Sequence, residues 1–266
     1  MEIAVGSRPG VPQRGGDDAY VAEIVAPGIV LLAVAHGFGR VRERSAPEVA
    51  AQAVRDSLKR RVRGERRDPR GALAAAFSAA NARVYAHSGS TDDHVASGTS
   101  LTAALIVGDH AYVGHVGATR AYLGREGTLA VLTVDDTLSD GVRLLTRALG
   151  TQPTLEPSLE HLRLMSGDAL VLSSGALHEL LDTDEIAEAL HGCATSEDVT
   201  AKLLAIAGIR GGDGAGTVIV GRALTDFPAD GRARRPPVRE CAICLAAMIA
   251  ATIVAIFILH AMFAAA

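Results

Sequence analysis

The sequence predicts an α+β fold with antiparallel sheets, followed by a C-terminal membrane anchor. Short alternating or β-branched runs are joined by tight turns, and pairs of helices interrupt them. This order is typical of antiparallel sheets flanked by helices, whereas alternating βαβ units would predict a parallel sheet. The anchor is predicted because the last 26 residues, 241–266, are apolar apart from Thr252 and His260.

Size and composition restrict the function classes. The chain has 266 residues, 48% of them hydrophobic, and a formal net charge of −4. Such a chain can bury one good core, and its charge argues against a nucleic-acid partner. Its three cysteines are too few and too badly placed for a disulfide framework, which favours a reducing compartment.

Apolar periodicity predicts the individual elements. Alternating or continuous apolar runs predict strands over residues 19–26, 29–35, 99–107, 110–116, 119–124, 169–173 and 217–222. Helical spacing and capping residues predict helices over residues 46–62, 69–87, 183–191 and 196–207. Asp182 or Thr183 would cap the third helix and Thr195 the fourth, and the segment GDH at 108–110 predicts a hairpin.

Three regions follow from these patterns: a globular domain over residues 1–222, a Pro- and Arg-rich linker over 223–239, and a transmembrane helix over 240–266. The last region exceeds the roughly 20 apolar residues that span a bilayer. Arginines in the linker place the N-terminal domain in the cytoplasm by the positive-inside rule. The sequence therefore predicts a single-pass membrane protein.

Eight short segments, in order, carry a pattern of known motifs. They are RGGDDAY, LLAVAHGFGR, SGTSLTAALI, AYVGHVGATRAYL, LAVLTVDDT, LLTRALG, SGDALVLSSGALHELLD and GDGAGTVIV. Over residues 3–222 they resemble segments of the protein phosphatase 2C family, the metal-dependent Ser/Thr protein phosphatases. RGGDDAY resembles the family's NEDA element, LLAVAHGFGR its AVADGMGG, and AYVGHVGATRAYL the segment that contains GDSR.

The resemblance implies a four-layer α/β/β/α sandwich, in which helices flank two antiparallel sheets. It also implies two Mn²⁺ or Mg²⁺ ions that activate a bridging water for attack on phosphoserine or phosphothreonine. Carboxylates must offset the charge of such ions. Asp18 keeps the NEDA aspartate, and Asp17 stands where that element has glutamate. The backbone of Gly37 is a further candidate metal ligand.

Other positions depart from the family pattern. His36 occupies the position of the bridging aspartate, Gly175 that of the SDG aspartate, and Gly214 that of the last aspartate, with Asp213 beside it. Gln13 stands at the phosphate arginine, with Arg14 adjacent as the phosphate-binding candidate, and Ala118 replaces the acidic residue of GDSR. A neutral imidazole donates one lone pair to one ion and cannot bridge two.

Three functions remain open. The first is a pseudophosphatase that binds or regulates a phosphoprotein or a Ser/Thr kinase signalling partner at the membrane, with no cofactor. The second is an active phosphatase whose rearranged site gathers Mn²⁺ or Mg²⁺ through Asp17, Asp18, Asp213 and Asp135 or Asp136. The third is a hydrolase that pairs His36 with Ser173 or Ser174, although no G-x-S-x-G segment supports it.

Overall fold

The computed structural model describes residues 1–8, 17–39, 45–64, 68–88, 97–138, 144–210 and 216–224. Within these ranges the chain forms ten strands and five helices. The strands are β1 Glu2–Arg8, β2 Asp18–Ala26, β3 Ile29–Phe38, β4 Gly98–Val107, β5 His110–Val116, β6 Arg120–Arg125, β7 Thr128–Val131, β8 Ser158–Arg163, β9 Ala169–Ser173 and β10 Gly216–Arg222. The helices are α1 Ala46–Gly64, α2 Pro69–Ser88, α3 Gly175–His178, α4 Thr183–Gly192 and α5 Ser196–Ile209.

The strands form two five-stranded sheets, in the orders β1-β10-β9-β6-β7 and β2-β3-β4-β5-β8. Every pairing in both sheets is antiparallel. The predicted α+β class with two antiparallel sheets is therefore confirmed.

Side chains between and outside the sheets form three apolar layers. Leu32 and Val34 of β3 meet Leu170 and Leu172 of β9 between the sheets. On the outer face of the second sheet, β3 and β4 pack against α1 and α2. On the outer face of the first sheet, β9 and β10 pack against α4 and α5. The helices thus flank the two sheets in four layers.

The position of β3 in the fold explains its unbroken apolar run over residues 29–35. Successive side chains of a strand point to opposite faces. Leu31 and Ala33 point towards the helices while Leu32 and Val34 point towards the other sheet, and all four are fully buried. Both faces of this central strand are covered, so each position needs an apolar side chain.

The predicted elements are confirmed with two kinds of difference. The glycines of HGFG, at 36–39, predict a turn directly after Ala35. Instead, β3 continues three residues further, to Phe38, and the positive φ comes only at Gly39. β1, β7, β8 and α3 were not predicted. β8 has the burial of an edge strand, with exposed residues at most positions, so its sequence carries little apolar signal.

Helix caps follow the sequence prediction. Asp182 is the N-cap of α4 and forms a capping box with Glu185, which selects it over Thr183. Thr195 caps α5 and its side chain accepts a hydrogen bond from the Asp198 amide.

Among the residues that the structure describes, no helix is long and apolar enough to cross a membrane. The predicted transmembrane helix, 240–266, and the predicted linker beyond residue 224 lie outside the described residues. The three predicted region boundaries therefore stay predictions.

Candidate active site

The centre of the site is a hydrogen bond between neighbouring strands. Strand register places Asp18, the first residue of β2, opposite His36 near the end of β3. Asp18 Oδ1 lies 2.7 Å from His36 Nδ1. The Asp18 side chain is 2% exposed, whereas that of His36 is 27% exposed. The buried carboxylate therefore holds an imidazole that reaches solvent.

The chemistry of the pair assigns the proton. An ionised carboxylate only accepts hydrogen bonds, so His36 Nδ1 carries the hydrogen and donates it to Asp18. In the neutral imidazole, Nε2 then keeps its lone pair. Asp18 Oδ2 is buried and has no hydrogen-bond partner among the residues that the structure describes. Leaving such an oxygen unpaired costs about 1–3 kcal/mol or more, which a cation would offset.

The backbone around His36 is fixed on both sides. The Gly37 amide donates to the Asp17 carbonyl at 3.0 Å, and Thr99 Oγ1 donates to the His36 carbonyl at 3.0 Å. A Cβ on Gly37 would lie 2.7 Å from Pro47 Cγ, so only glycine lets the strand pass the start of α1. The imidazole is therefore carried by a rigid strand.

Gly175 gives the imidazole its space. A Cβ at this first residue of α3 would lie 3.6 Å from His36 Cδ2 and 3.5 Å from the Ala118 carbonyl oxygen. A methyl group there would be in ordinary van der Waals contact with the ring and with the carbonyl. Position 175 therefore lies directly beside the imidazole of His36.

A cavity of about 480 Å³ opens beside His36. Its polar lining residues are His36, Ser100, Arg120, Asp135, Thr137, His178 and Glu179. Arg120 Nε and Nη2 donate to the two oxygens of Asp135 at 2.9 and 2.8 Å. This hydrogen-bonded carboxylate raises the pKa of the Arg120 guanidinium. One guanidinium thus stays charged at the wall of the cavity.

The turn between β5 and β6 is held by groups behind the cavity. The Gly117 amide donates to Asp136 Oδ2 at 2.8 Å, and the Ala118 amide donates to Ser100 Oγ at 3.0 Å. His115 Nδ1 lies 2.9 Å from Thr102 Oγ1, and burial lowers the pKa of the His115 imidazole.

In the structure, both aspartates of VDDT, which the sequence suggests as further metal ligands, bind other groups of the protein. Asp135 is paired with Arg120, while Asp136 accepts from Gly117 and lies 3.5 Å from Arg147. Arg120 and Ser100 were not singled out as site residues from the sequence. The arginine of GATR, which matches that of GDSR, was the available signal for Arg120.

The remaining candidates divide into described and undescribed residues. Asp17 meets the site through its backbone carbonyl. Gln13, Arg14, Asp213 and Gly214 lie outside the described residues. Ser173 and Ser174 are 1% and 0% exposed, neither lines the cavity, and Ser174 Oγ accepts from the Thr217 amide. The pairing of His36 with either serine is therefore wrong.

The residues present fit one ion better than two. Within the described ranges, no three His, Cys, Asp or Glu side chains converge as a metal site. Asp18 retains a free buried oxygen, but positions 36, 118 and 175 supply no carboxylate. Two divalent cations need several carboxylates to offset their charge. The described residues do not supply that set.

A second cavity, of about 460 Å³, lies at Arg125, His191 and Arg222. Arg125 is paired with both oxygens of buried Asp168, and Arg222 donates to carbonyls at the end of α4. Both guanidiniums therefore serve the fold.

Comparisons with known proteins agree on one family. The family model described as protein phosphatase 2C matches residues 29–141. The serine/threonine protein phosphatase PstP of Mycobacterium tuberculosis is 31% identical over 248 residues, which cover 85% of this chain and 46% of that protein. The chain thus spans about half the length of this curated relative.

Solved structures show the same relationship over a complete domain. The crystal structure of the catalytic domain of PstP in complex with two manganese ions has a TM-score of 0.68 and 30% identity, covering 82% of this chain and 96% of that chain. A serine/threonine phosphatase of S. agalactiae has a TM-score of 0.71 and 25% identity, covering 82% of this chain and 98% of that chain.

Proposed function

Because this chain belongs to the protein phosphatase 2C family, we propose that it is a metal-dependent phosphatase of phosphoserine and phosphothreonine proteins, with a site rearranged around Asp18 and His36. Relatives named Ser/Thr phosphatases support this activity. They favour the catalytic alternative over the pseudophosphatase that the sequence put first. They also favour a metal cofactor over none.

The observation that carries the proposal is the free oxygen of Asp18. The side chain is 2% exposed, Oδ1 accepts from His36, and Oδ2 finds no hydrogen-bond partner within the described ranges. Burying a carboxylate oxygen in this way is costly unless a cation meets it. Asp18, with the Gly37 backbone as its neighbouring candidate, would hold one Mn²⁺ or Mg²⁺. Such an ion polarises a phosphate oxygen or a bound water.

The chain's own residues would position the substrate. The cavity beside His36 is large enough for a phosphorylated side chain, and Arg120 contributes a charged guanidinium that is one-third exposed. Arg14, outside the described residues, remains the candidate for direct phosphate binding. Asp18 orients His36 through Nδ1, so the lone pair of the neutral imidazole is on Nε2.

Turnover of a phosphothreonine peptide by the full-length chain tests the proposal. We expect phosphate release that rises with Mn²⁺ and falls by at least about 10²-fold in Asp18→Asn, the range expected for loss of a charged active-site group. Asp56→Asn, in α1 and not among the residues that line the cavity, is the control for a generic loss of charge. Absence of release above the buffer rate at every Mn²⁺ concentration would contradict the proposal.

A binding module without turnover is the second candidate. Ala118 and Gly175 favour it, since both stand where the resemblance predicts carboxylates and neither can ligate a metal through its side chain. The partner would be a phosphoprotein of a Ser/Thr kinase system. The test is calorimetric titration of the chain with a phosphothreonine peptide. Heat of binding with a peptide that remains intact would support this candidate, and no heat at millimolar peptide would exclude it.

We further propose that residues 240–266 anchor the domain to the cytoplasmic face of a membrane through the linker 223–239. The apolar segment and the arginines just before it support this. The test is fractionation of two sets of cells, one that expresses the full chain and one that expresses a chain ending at residue 225. Only the full chain should pellet with membranes and resist carbonate extraction; equal distribution of the two would contradict the anchor.

A further inference from the structure

We infer that the cavity beside His36 selects phosphoproteins in which a large apolar residue stands directly beside the phosphoserine or phosphothreonine. This inference deepens the proposed function, on which the phosphorylated residue itself rests. It concerns four apolar side chains at the cavity, here called the apolar rim: Phe38, Leu138, Leu144 and Leu145.

The first argument is the exposure of the apolar rim. Phe38, Leu138 and Leu145 line the cavity, and the Leu138 amide donates to the Leu144 carbonyl at 3.1 Å. Leu138 is 51% exposed and Leu144 is 58% exposed, while Phe38 and Leu145 are half-buried. Exposed apolar side chains that are grouped at a cavity mark a binding surface, whereas isolated ones need no explanation. An apolar group that covers the rim removes this surface from water, which is favourable.

The second argument is that backbone hydrogen bonds hold the leucines of the apolar rim in place. Thr137 and Leu145 form an antiparallel bridge, and the Thr146 amide donates to the Asp136 carbonyl at 2.8 Å. The Asp136 amide donates to the Gly117 carbonyl at 2.7 Å, which ties this segment to the turn between β5 and β6. Because the backbone is already ordered, little conformational entropy is lost when a ligand covers the leucines.

Phe38 is held separately, at the end of β3. It is the register partner of Gly98 in β4, and its ring lies over that glycine, since a Cβ on Gly98 would lie 2.8 Å from Phe38 Cζ. The apolar rim therefore combines one aromatic ring with three leucines. Such side chains pack against aliphatic and aromatic groups and offer a polar residue no hydrogen bond.

The third argument is that the apolar rim is continuous with the charged part of the same cavity. Arg120 lines this cavity together with Leu138 and Leu145, and its guanidinium complements a dianionic phosphate. Consecutive Cα atoms of a peptide are about 3.8 Å apart, so the residue beside the phosphorylated one lies at the wall of the same cavity. The volume of about 480 Å³ is typical of a site that holds more than one side chain.

Two phosphothreonine peptides of equal charge test the inference, one with isoleucine and the other with serine on both sides of the phosphothreonine. Calorimetry without added metal measures their binding to the full-length chain, and phosphate release with Mn²⁺ measures their turnover. We expect the isoleucine peptide to bind at least about tenfold more tightly and to have a KM lower by a similar factor, as apolar groups in a pocket discriminate by this much.

Two variants assign the preference to the apolar rim. Leu138→Gln should bring the ratio of the two affinities below about threefold, because it replaces an exposed apolar side chain at the cavity by a polar one of similar size. Ile209→Gln is the matched control. Ile209 is 86% exposed at the end of α5 and does not line the cavity, so this variant should keep the preference of the wild type.

The outcomes separate this inference from the proposed function. Equal affinity of the wild type for the two peptides would overturn the inference, and so would a preference that Leu138→Gln keeps in full. Release from both peptides at equal KM would retain the phosphatase and overturn the inference. Tighter binding of the isoleucine peptide without release from either peptide would support the inference and contradict the phosphatase.

Discussion

Asp18 acts on the imidazole through its negative charge as well as its shape. In Asp18→Asn the amide keeps the volume but is neutral, so the tautomer of His36 is no longer fixed by an ionised acceptor. We expect kcat to fall by about 10²-fold or more with little change in KM. The measurement is steady-state phosphate release by the wild type, by Asp18→Asn and by the control variant Asp56→Asn. A kcat within about threefold of the wild type would show that the hydrogen bond is structural.

Positions 36 and 175 are expected to change the metal site together. The double variant His36→Asp, Gly175→Asp places two carboxylates at the cavity. Carboxylate oxygens are the ligands that hard divalent cations prefer. Calorimetry should show Mn²⁺ affinity raised by at least about tenfold, or about 1.4 kcal/mol. Gly175→Asp alone should raise it less, because it adds one carboxylate instead of two. Equal Mn²⁺ affinity in the wild type and the double variant would contradict this account.

The turn between β5 and β6 depends on a glycine. Gly117 has a φ of +100°, and a Cβ there would lie 2.2 Å from Ser100 Oγ. Gly117→Ala should therefore lower the free energy of unfolding by more than about 2 kcal/mol. Gly28 is the matched control, since its φ is +73° but a Cβ meets nothing within 4 Å. Gly28→Ala should cost about 1 kcal/mol, from backbone strain alone.

Urea denaturation of both variants measures this difference. Equal losses for Gly117→Ala and Gly28→Ala would mean that the Ser100 contact adds nothing and that the turn can relax around it.

The elements with a strong apolar period were predictable from sequence, and the site geometry was not. β3 and β4 are buried on both faces and carry the apolar runs 29–35 and 103–107, and Asp182 and Thr195 cap helices by local rules. The Asp18–His36 contact depends on the register of the β2–β3 hairpin, which shifts between Ile24 and Ala26. A single irregularity of this kind cannot be read from residue types.

The end of β3 was also not predictable from residue types, because strand pairing determines it. The glycines of HGFG predict a turn, but pairing with β2 up to His36 and with β4 up to Phe38 extends the strand. Tertiary pairing thus overrides local propensity at the segment that carries the site.

The stability of the folded domain should depend on pH through His115. Burial lowers the pKa of this imidazole below its ordinary value of 6.5. The unfolded chain therefore binds a proton at a higher pH than the folded one. As the pH falls below about 6.5, the unfolded state gains protons first, and the free energy of unfolding decreases until the folded pKa is passed.

Urea unfolding between pH 8 and pH 5 checks this dependence. His115→Gln should lose part of the decrease below about pH 6.5, whatever its stability at pH 8. An unchanged slope in His115→Gln would assign the acid sensitivity to other groups.

The catalytic account of the domain rests on buried Asp18 and on the hydrogen bond that joins it to His36. The decisive comparison is phosphate release from a phosphothreonine peptide by the full-length wild type and by His36→Ala, each with and without Mn²⁺. We predict release by the wild type and a loss of at least about 10²-fold in His36→Ala at every Mn²⁺ concentration. No release by the wild type, or equal release by both proteins, would contradict the account.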